Sequence, residues 1–63
     1  MRILDKRALR EKVPYSPAQI DRMESAGDFP RRVRLGPHRV GWIETEVDDW
    51  IASRMRERDA AEA

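Results

Sequence analysis

The chain has 63 residues, 40% of them charged, and no cysteine; it is at most one domain, with no disulfide or thiolate metal site to hold it together. A single histidine cannot form a metal site alone, and no apolar run approaches the roughly 18 residues of a membrane span. The formal net charge of +1 hides an asymmetry, since residues 1–39 carry ten Lys/Arg against five Asp/Glu and residues 40–63 carry three against seven. A basic first part points to a polyanionic partner more strongly than the total charge does. The N-terminus has no apolar signal-peptide core, and this, with the lack of cysteine, makes the cytoplasm the expected compartment.

The first expected helix runs from about Asp5 to Lys12. Asp5 is a good N-cap, and Leu4, Ala8, Leu9 and Val13 recur near helical spacing, with Lys6, Arg7, Arg10 and Lys12 mostly off that stripe. Pro14 ends it, because the residue before a proline avoids the helical region. A second helix begins at Pro17, behind the capping hydroxyl of Ser16, and ends at Ser25 or Ala26 before Gly27, a natural C′ residue. Two short helices joined by a short turn form a helix-turn-helix pattern. With Ile20 and Met23 inward, Ala18, Asp21, Arg22 and Ser25 point away and Gln19 lies on the flank.

A two-stranded hairpin follows. Arg32 to Leu35 alternates, Gly36-Pro37-His38-Arg39 is turn chemistry, and Val40 to Ile43 makes an apolar return strand around Trp42. A lone hairpin is unstable, so its apolar face must pack on the helices, and Phe29 in the preceding loop is a core candidate. Strand alternation puts Arg32 and Arg34 on one face and assigns Val33 and Leu35 to the other, core face. The last helix is expected from Thr45 to about Met55, opened by a capping box of Thr45 and Asp48 and striped by Val47, Trp50, Ile51 and Met55. Glu46, Asp48 and Asp49 suit its first turn, so helix stability accounts for its acidity.

Two surfaces carry function in this pattern. The outward face of the second helix offers small residues with Gln19 and Arg22, and Gln and Arg can read adenine and guanine through paired hydrogen bonds. The hairpin brings Arg31, Arg32, Arg34, His38 and Arg39 within nine residues. Together they suit a helix in a major groove beside a wing on the phosphate backbone or the adjacent minor groove. Pairing of the hairpin arginines with the acidic last helix is the competing reading. Tyr15 either reaches a phosphate or packs over the turn. Asp21 and Glu24 repel phosphate by charge; their alternative roles are acceptance from a cytosine amino group and restraint of nearby arginines. No catalytic constellation is present: the glycines are isolated, the serines lack a placed histidine, and the acids from Glu44 to Asp49 lack metal-ligand spacing. The sequence therefore argues against an enzyme and calls for no cofactor and no metal.

Several segments carry a family likeness: Ile3-Leu4, Tyr15-Ser16-Pro17, Arg22-Met23-Glu24 with Ala26-Gly27, Phe29-Pro30-Arg31-Arg32-Val33 with Leu35-Gly36, Arg39-Val40-Gly41-Trp42, and Glu46-Val47-Asp48-Asp49-Trp50-Ile51. From about Ile3 to Arg54 the chain resembles the AlpA family of phage-type transcriptional regulators, relatives of excisionases and of MerR-like winged helix-turn-helix domains. The resemblance implies an α+β, mostly helical fold, a winged helix-turn-helix in the order helix, helix, two-stranded wing, helix. It implies sequence-specific binding to double-stranded bacterial or prophage DNA, with a recognition helix contributing Tyr15, Ser16, Pro17, Ala18, Gln19 and Arg22 and a wing contributing Arg31, Arg32, Arg34, His38 and Arg39. A regulator of transcription is the expected function; an excisionase-like factor that bends DNA and a protein-binding anti-repressor are the alternatives. Self-association on DNA, RNA polymerase and a recombinase are the further partners in view, and the nucleoid the expected place. Residues 1–58 are expected to form the domain and 59–63 a disordered C-terminal tail.

Overall fold

The computed structural model describes residues 2–62. Its order is β1 (Ile3–Leu4), α1 (Lys6–Lys12), α2 (Pro17–Ser25), β2 (Val33–Gly36), β3 (Arg39–Ile43) and α3 (Glu44–Glu62). The strands form one antiparallel sheet in the order β1-β3-β2. The expected hairpin is therefore widened by a third strand, in which Ile3 pairs with Ile43 and Leu4 with Trp42.

Local chemistry sets the two short helices. Asp5 caps α1 by accepting from the Ala8 backbone N–H at 2.8 Å, and Ser16 caps α2 by accepting from the Gln19 N–H at 3.2 Å. After α2, Gly27 adopts φ +78°. Its N–H donates to the Glu24 carbonyl at 3.1 Å, and the Asp28 N–H donates to the Met23 carbonyl at 2.8 Å. This is the paired closure of a Schellman motif, and the left-handed residue it needs is a glycine.

The core consists of Leu4, Leu9, Val13, Ile20, Phe29, Trp42 and Val47, with Ala8, Tyr15, Met23, Val40, Trp50 and Ile51 packed against it. Every element except β2 thus contributes to it. Trp50 fastens α3 to the loop after α2: its indole N–H donates to the Asp28 carbonyl at 2.6 Å, and its ring meets Phe29 edge-on at 4.9 Å.

Three expectations change. First, Val33 and Leu35 do not face the core; both are exposed. Trp42 fixes the buried face of β3, and the register sets Arg34 opposite Val40 and Val33 opposite Gly41. Arg34 thus shares the side of Trp42, while Val33 lies on the outer side. A Cβ on Gly41 would collide with the Ile3 side chain and meet Leu35 Cδ1 at 3.1 Å, so these residues cover the glycine from outside. Second, α3 starts at Glu44 with no Thr45 cap. β3 runs straight into the helix, and the Glu44 N–H donates to the Arg2 carbonyl at 2.9 Å, so strand pairing satisfies one of the N–H groups left free at the helix start. Third, α3 continues past Arg58 through the segment expected to be disordered, as far as Glu62. Nothing there stops a helix, and Ala60 and Ala61 favour one; Ala63 lies outside the described residues. Beyond the core its side chains are exposed, Met55 among them, contrary to the stripe expected for it.

Candidate nucleic-acid interface

The outward face of α2 is as the helical spacing requires. Pro17, Ala18, Asp21, Arg22 and Ser25 are exposed, Gln19 is half-buried on the flank, and Ile20 is buried. Ser16, which caps the helix, is exposed at its entrance. Tyr15 is half-buried and packs edge-on against Trp50, with ring centroids 6.3 Å apart. Its ring takes the packing role that the sequence left open.

Glu24 is the unexpected residue. It is 9% exposed, an acid on the apolar side of α2, one turn from Ile20. Arg32 compensates it. The Arg32 backbone N–H donates to Glu24 Oε1 at 2.7 Å, and its guanidinium Nε donates to Glu24 Oε2 at 2.9 Å. A guanidinium Nη2 donates to both Glu24 and Asp21. The same guanidinium lies 5.1 Å from the centroid of the Trp42 ring. Hydrogen bonding to Glu24, followed by that to Asp21, pushes the Arg32 pKa above its ordinary value against the effect of burial. Arg32 therefore ties the base of the wing to α2 and pairs with both acids of that helix. Of the roles open to Asp21 and Glu24, restraint of an arginine is the one seen. The hairpin arginine pairs with α2, not with the acidic last helix. A signal was present in the sequence: Glu24 interrupts an apolar stripe eight residues before Arg32.

The other cations divide sharply. Arg2 and Lys12 pair with Glu44, and Lys12 also with Asp48 at 2.6 Å; Arg54 and Arg58 pair along α3. Among the described residues, Lys6, Arg7 and Arg10 of α1, Arg22 of α2, Arg31, Arg34 and Arg39 of the wing, and Arg56 of α3 have no acidic partner. Most are brought onto linked concave surfaces. One is bounded by Lys6, Arg34, His38 and Arg39, so the wing arginines lie beside α1. The next, between α1 and α2, shares Lys6 with it. A third, bounded by Asp21, Glu24, Ser25, Arg31 and Arg32, adjoins the second through Asp21 and Arg32. By contrast, the depression between the Gly27–Pro30 loop and α3 is edged by Asp28, Glu46, Asp49 and Glu57, with Arg54 as its one cation. The α1 cations were not singled out by the sequence, because nothing local to α1 indicates that the wing folds back beside it.

Among the described residues no group of His, Asp and Glu is arranged to hold a metal ion, and no helix is long and apolar enough to cross a membrane. Trp42 is 2% exposed, and its indole N–H has no acceptor among the described residues.

Three helices around a small antiparallel sheet, with a hairpin whose base Arg32 ties to the second helix, define a winged helix-turn-helix. Residues 2–55 match the model of the family described as prophage CP4-57 regulatory protein (AlpA), and the chain belongs to that family. It is also similar to the DNA-binding transcriptional activator AlpA of Escherichia coli strain K12, at 46% identity over 28 residues. That alignment covers 44% of this chain and 40% of the relative.

Proposed function

We propose that this protein is a sequence-specific double-stranded DNA-binding regulator of transcription, acting on bacterial or prophage genes in the cytoplasm at the nucleoid. The observation that carries the reading is the segregation of charge by pairing. Arg32 pairs with both acids of α2 and, with Arg22 on the same helix, balances their charge, while among the described residues Arg22, Arg31, Arg34 and Arg39 keep unpaired guanidinium groups. A helix that has shed its net repulsion for phosphate can enter a major groove, and free arginines beside it can hold the flanking backbone. Gln19 and Arg22 are the side chains we assign to base edges; Ser16, Pro17 and Ala18 let the helix approach closely, and Tyr15 shapes its entrance. Arg31, Arg34, His38 and Arg39 are assigned to the backbone. Arg32, which the sequence pattern also suggested as a phosphate ligand, is assigned instead to orienting the wing. The name of the Escherichia coli relative supports both DNA and transcription as the setting. The acidic depression of α3 is the surface we assign to a protein partner, RNA polymerase at a promoter or a recombinase at an excision site.

The test is selection of the purified protein against a random DNA library, followed by binding to the winners across a salt series. A recovered motif with steep salt dependence is the expected result. Arg22→Ala should change the selected motif, at a cost of about 1–3 kcal/mol on the original site if the contact is bidentate; an unchanged motif would remove α2 from the recognition role. Motifs recovered in tandem would favour excisionase-like assembly. No enrichment and no binding at low salt would overturn the DNA reading and direct attention to a protein target, as for an anti-repressor.

A further inference from the structure

We infer that the cleft between α1 and α2 seats one sugar–phosphate unit of the DNA backbone, with Lys6 and Arg10 binding the phosphate and Leu9, Pro17 and Ile20 packing against the sugar. The inference rests on the DNA-binding reading above and adds α1 to the helix and wing.

Lys6 and Arg10 are one turn apart on α1, so their side chains share a face, and both line the cleft. Neither has an acidic partner among the described residues, although Lys12 on the same helix has two. The one acid at the cleft, Asp21, is bound by Arg32, so it does not compete for these cations. Apart from these two cations and the Asp21–Arg32 pair, the lining is apolar or aromatic. Leu9 and Ile20 are buried, and Tyr15 and Pro17 continue the surface. Trp42 lines the cleft from its buried side and keeps an indole N–H without an acceptor among the described residues. An apolar floor beneath two free cations suits a ligand with a weakly polar body and one anionic group. A bare inorganic anion leaves the floor unused, and a hydrocarbon leaves both cations unused. A deoxyribose with its phosphate satisfies both. The neighbouring concave surface shares Lys6 and carries Arg34, His38 and Arg39, so a strand seated in the cleft runs on towards the wing.

The experiment uses the full chain and the DNA site recovered by selection. Lys6→Ala and Arg10→Ala are each expected to lower affinity and to flatten the dependence of log affinity on log salt in part, and by about 0.9 when combined, the change for one phosphate no longer neutralised. Neither is expected to alter the selected motif. Methylphosphonates placed one at a time along the site should reveal one phosphate whose neutralisation weakens the wild type but adds nothing to the variant carrying both Lys6→Ala and Arg10→Ala. Arg56→Ala, which removes a cation of α3 outside the cleft, should bind as the wild type does. Wild-type slopes for Lys6→Ala and Arg10→Ala, alongside a flattened slope for Arg34→Ala, would overturn the cleft assignment and leave the DNA function standing. A changed motif in either α1 variant would also overturn it, by pointing to base contact. Absence of binding by the wild type would instead defeat the function on which the inference rests.

Discussion

Arg32 and Arg34 stand two residues apart at the start of the wing, on the same side of the sheet, and their fates are opposite. Arg32 is drawn against Glu24, Asp21 and the Trp42 ring. Arg34 is exposed, with no acidic partner among the described residues. The difference lies in what stands opposite them. Arg32 falls beside the buried carboxylate of α2, whereas Arg34 pairs with Val40 in β3, further along the hairpin. One arginine therefore belongs to the structure and the other remains available to a ligand. Like residues in one arginine-rich run need not share a role, and the burial of the opposing acid decides which role each takes.

The comparison breaks most visibly at Arg32. Arg32→Ala leaves Glu24 buried without its counter-ion, and the expected loss of stability is about 2–3 kcal/mol, allowing for partial solvent screening at the guanidinium. In a domain this small that lowers Tm by about 10 °C or more. Thermal unfolding followed by circular dichroism measures it. Glu24→Gln should lose much less, because an amide oxygen still accepts from the Arg32 N–H and no charge is stranded. A double variant, Glu24→Gln with Arg32→Ala, should recover part of the single-variant loss. If Arg32→Ala unfolds at the wild-type temperature, the ion pair does not support the wing.

At Arg34 and Arg39 the expectation reverses. Neither alanine variant should move Tm appreciably, as exposed unpaired side chains contribute little to folding. Each should instead flatten the salt dependence of DNA binding by about 0.9 log units per log unit of salt. A fall in Tm without a change of slope would place these residues with Arg32.

How much of this was legible in the sequence depended on whether the cause was local. The caps at Asp5 and Ser16 and the glycine closure at Gly27 were readable because each depends on a few adjacent residues. The α2 surface followed from helical spacing for the same reason. β1 was not readable as a strand: two residues show no alternation, and the strand exists only because β3 is there to pair with. The sheet faces were assigned the wrong way round, since Val33 and Leu35 look like core residues until the register fixed by Trp42 sends them outward over Gly41. For the interface, the sequence identified the arginine run but could not divide it. Dividing it required the burial of Glu24 and the approach of α1 to the wing, and both are tertiary.

The smallest expected effect concerns Lys12, the other cation with two acids. Its ammonium donates to Asp48 at 2.6 Å and lies 3.3 Å from Glu44, clamping the end of α1 to the start of α3. The Asp48 hydrogen bond, more than any other cause, raises its pKa above the ordinary 10.5. A folded-state pKa raised above the unfolded one stabilises the fold as long as the lysine is charged in both states. That contribution is fully present below about 10.5 and fades as the pH rises through the higher folded value. Lys12→Met should therefore melt slightly below the wild type near neutral pH, and the two Tm values should converge in strongly alkaline solution. The ammonium is solvent-accessible, so high salt at neutral pH should also narrow the gap. A difference that persists unchanged through both conditions would mean that Lys12 acts by packing its methylene stem between the helices, not through its charge.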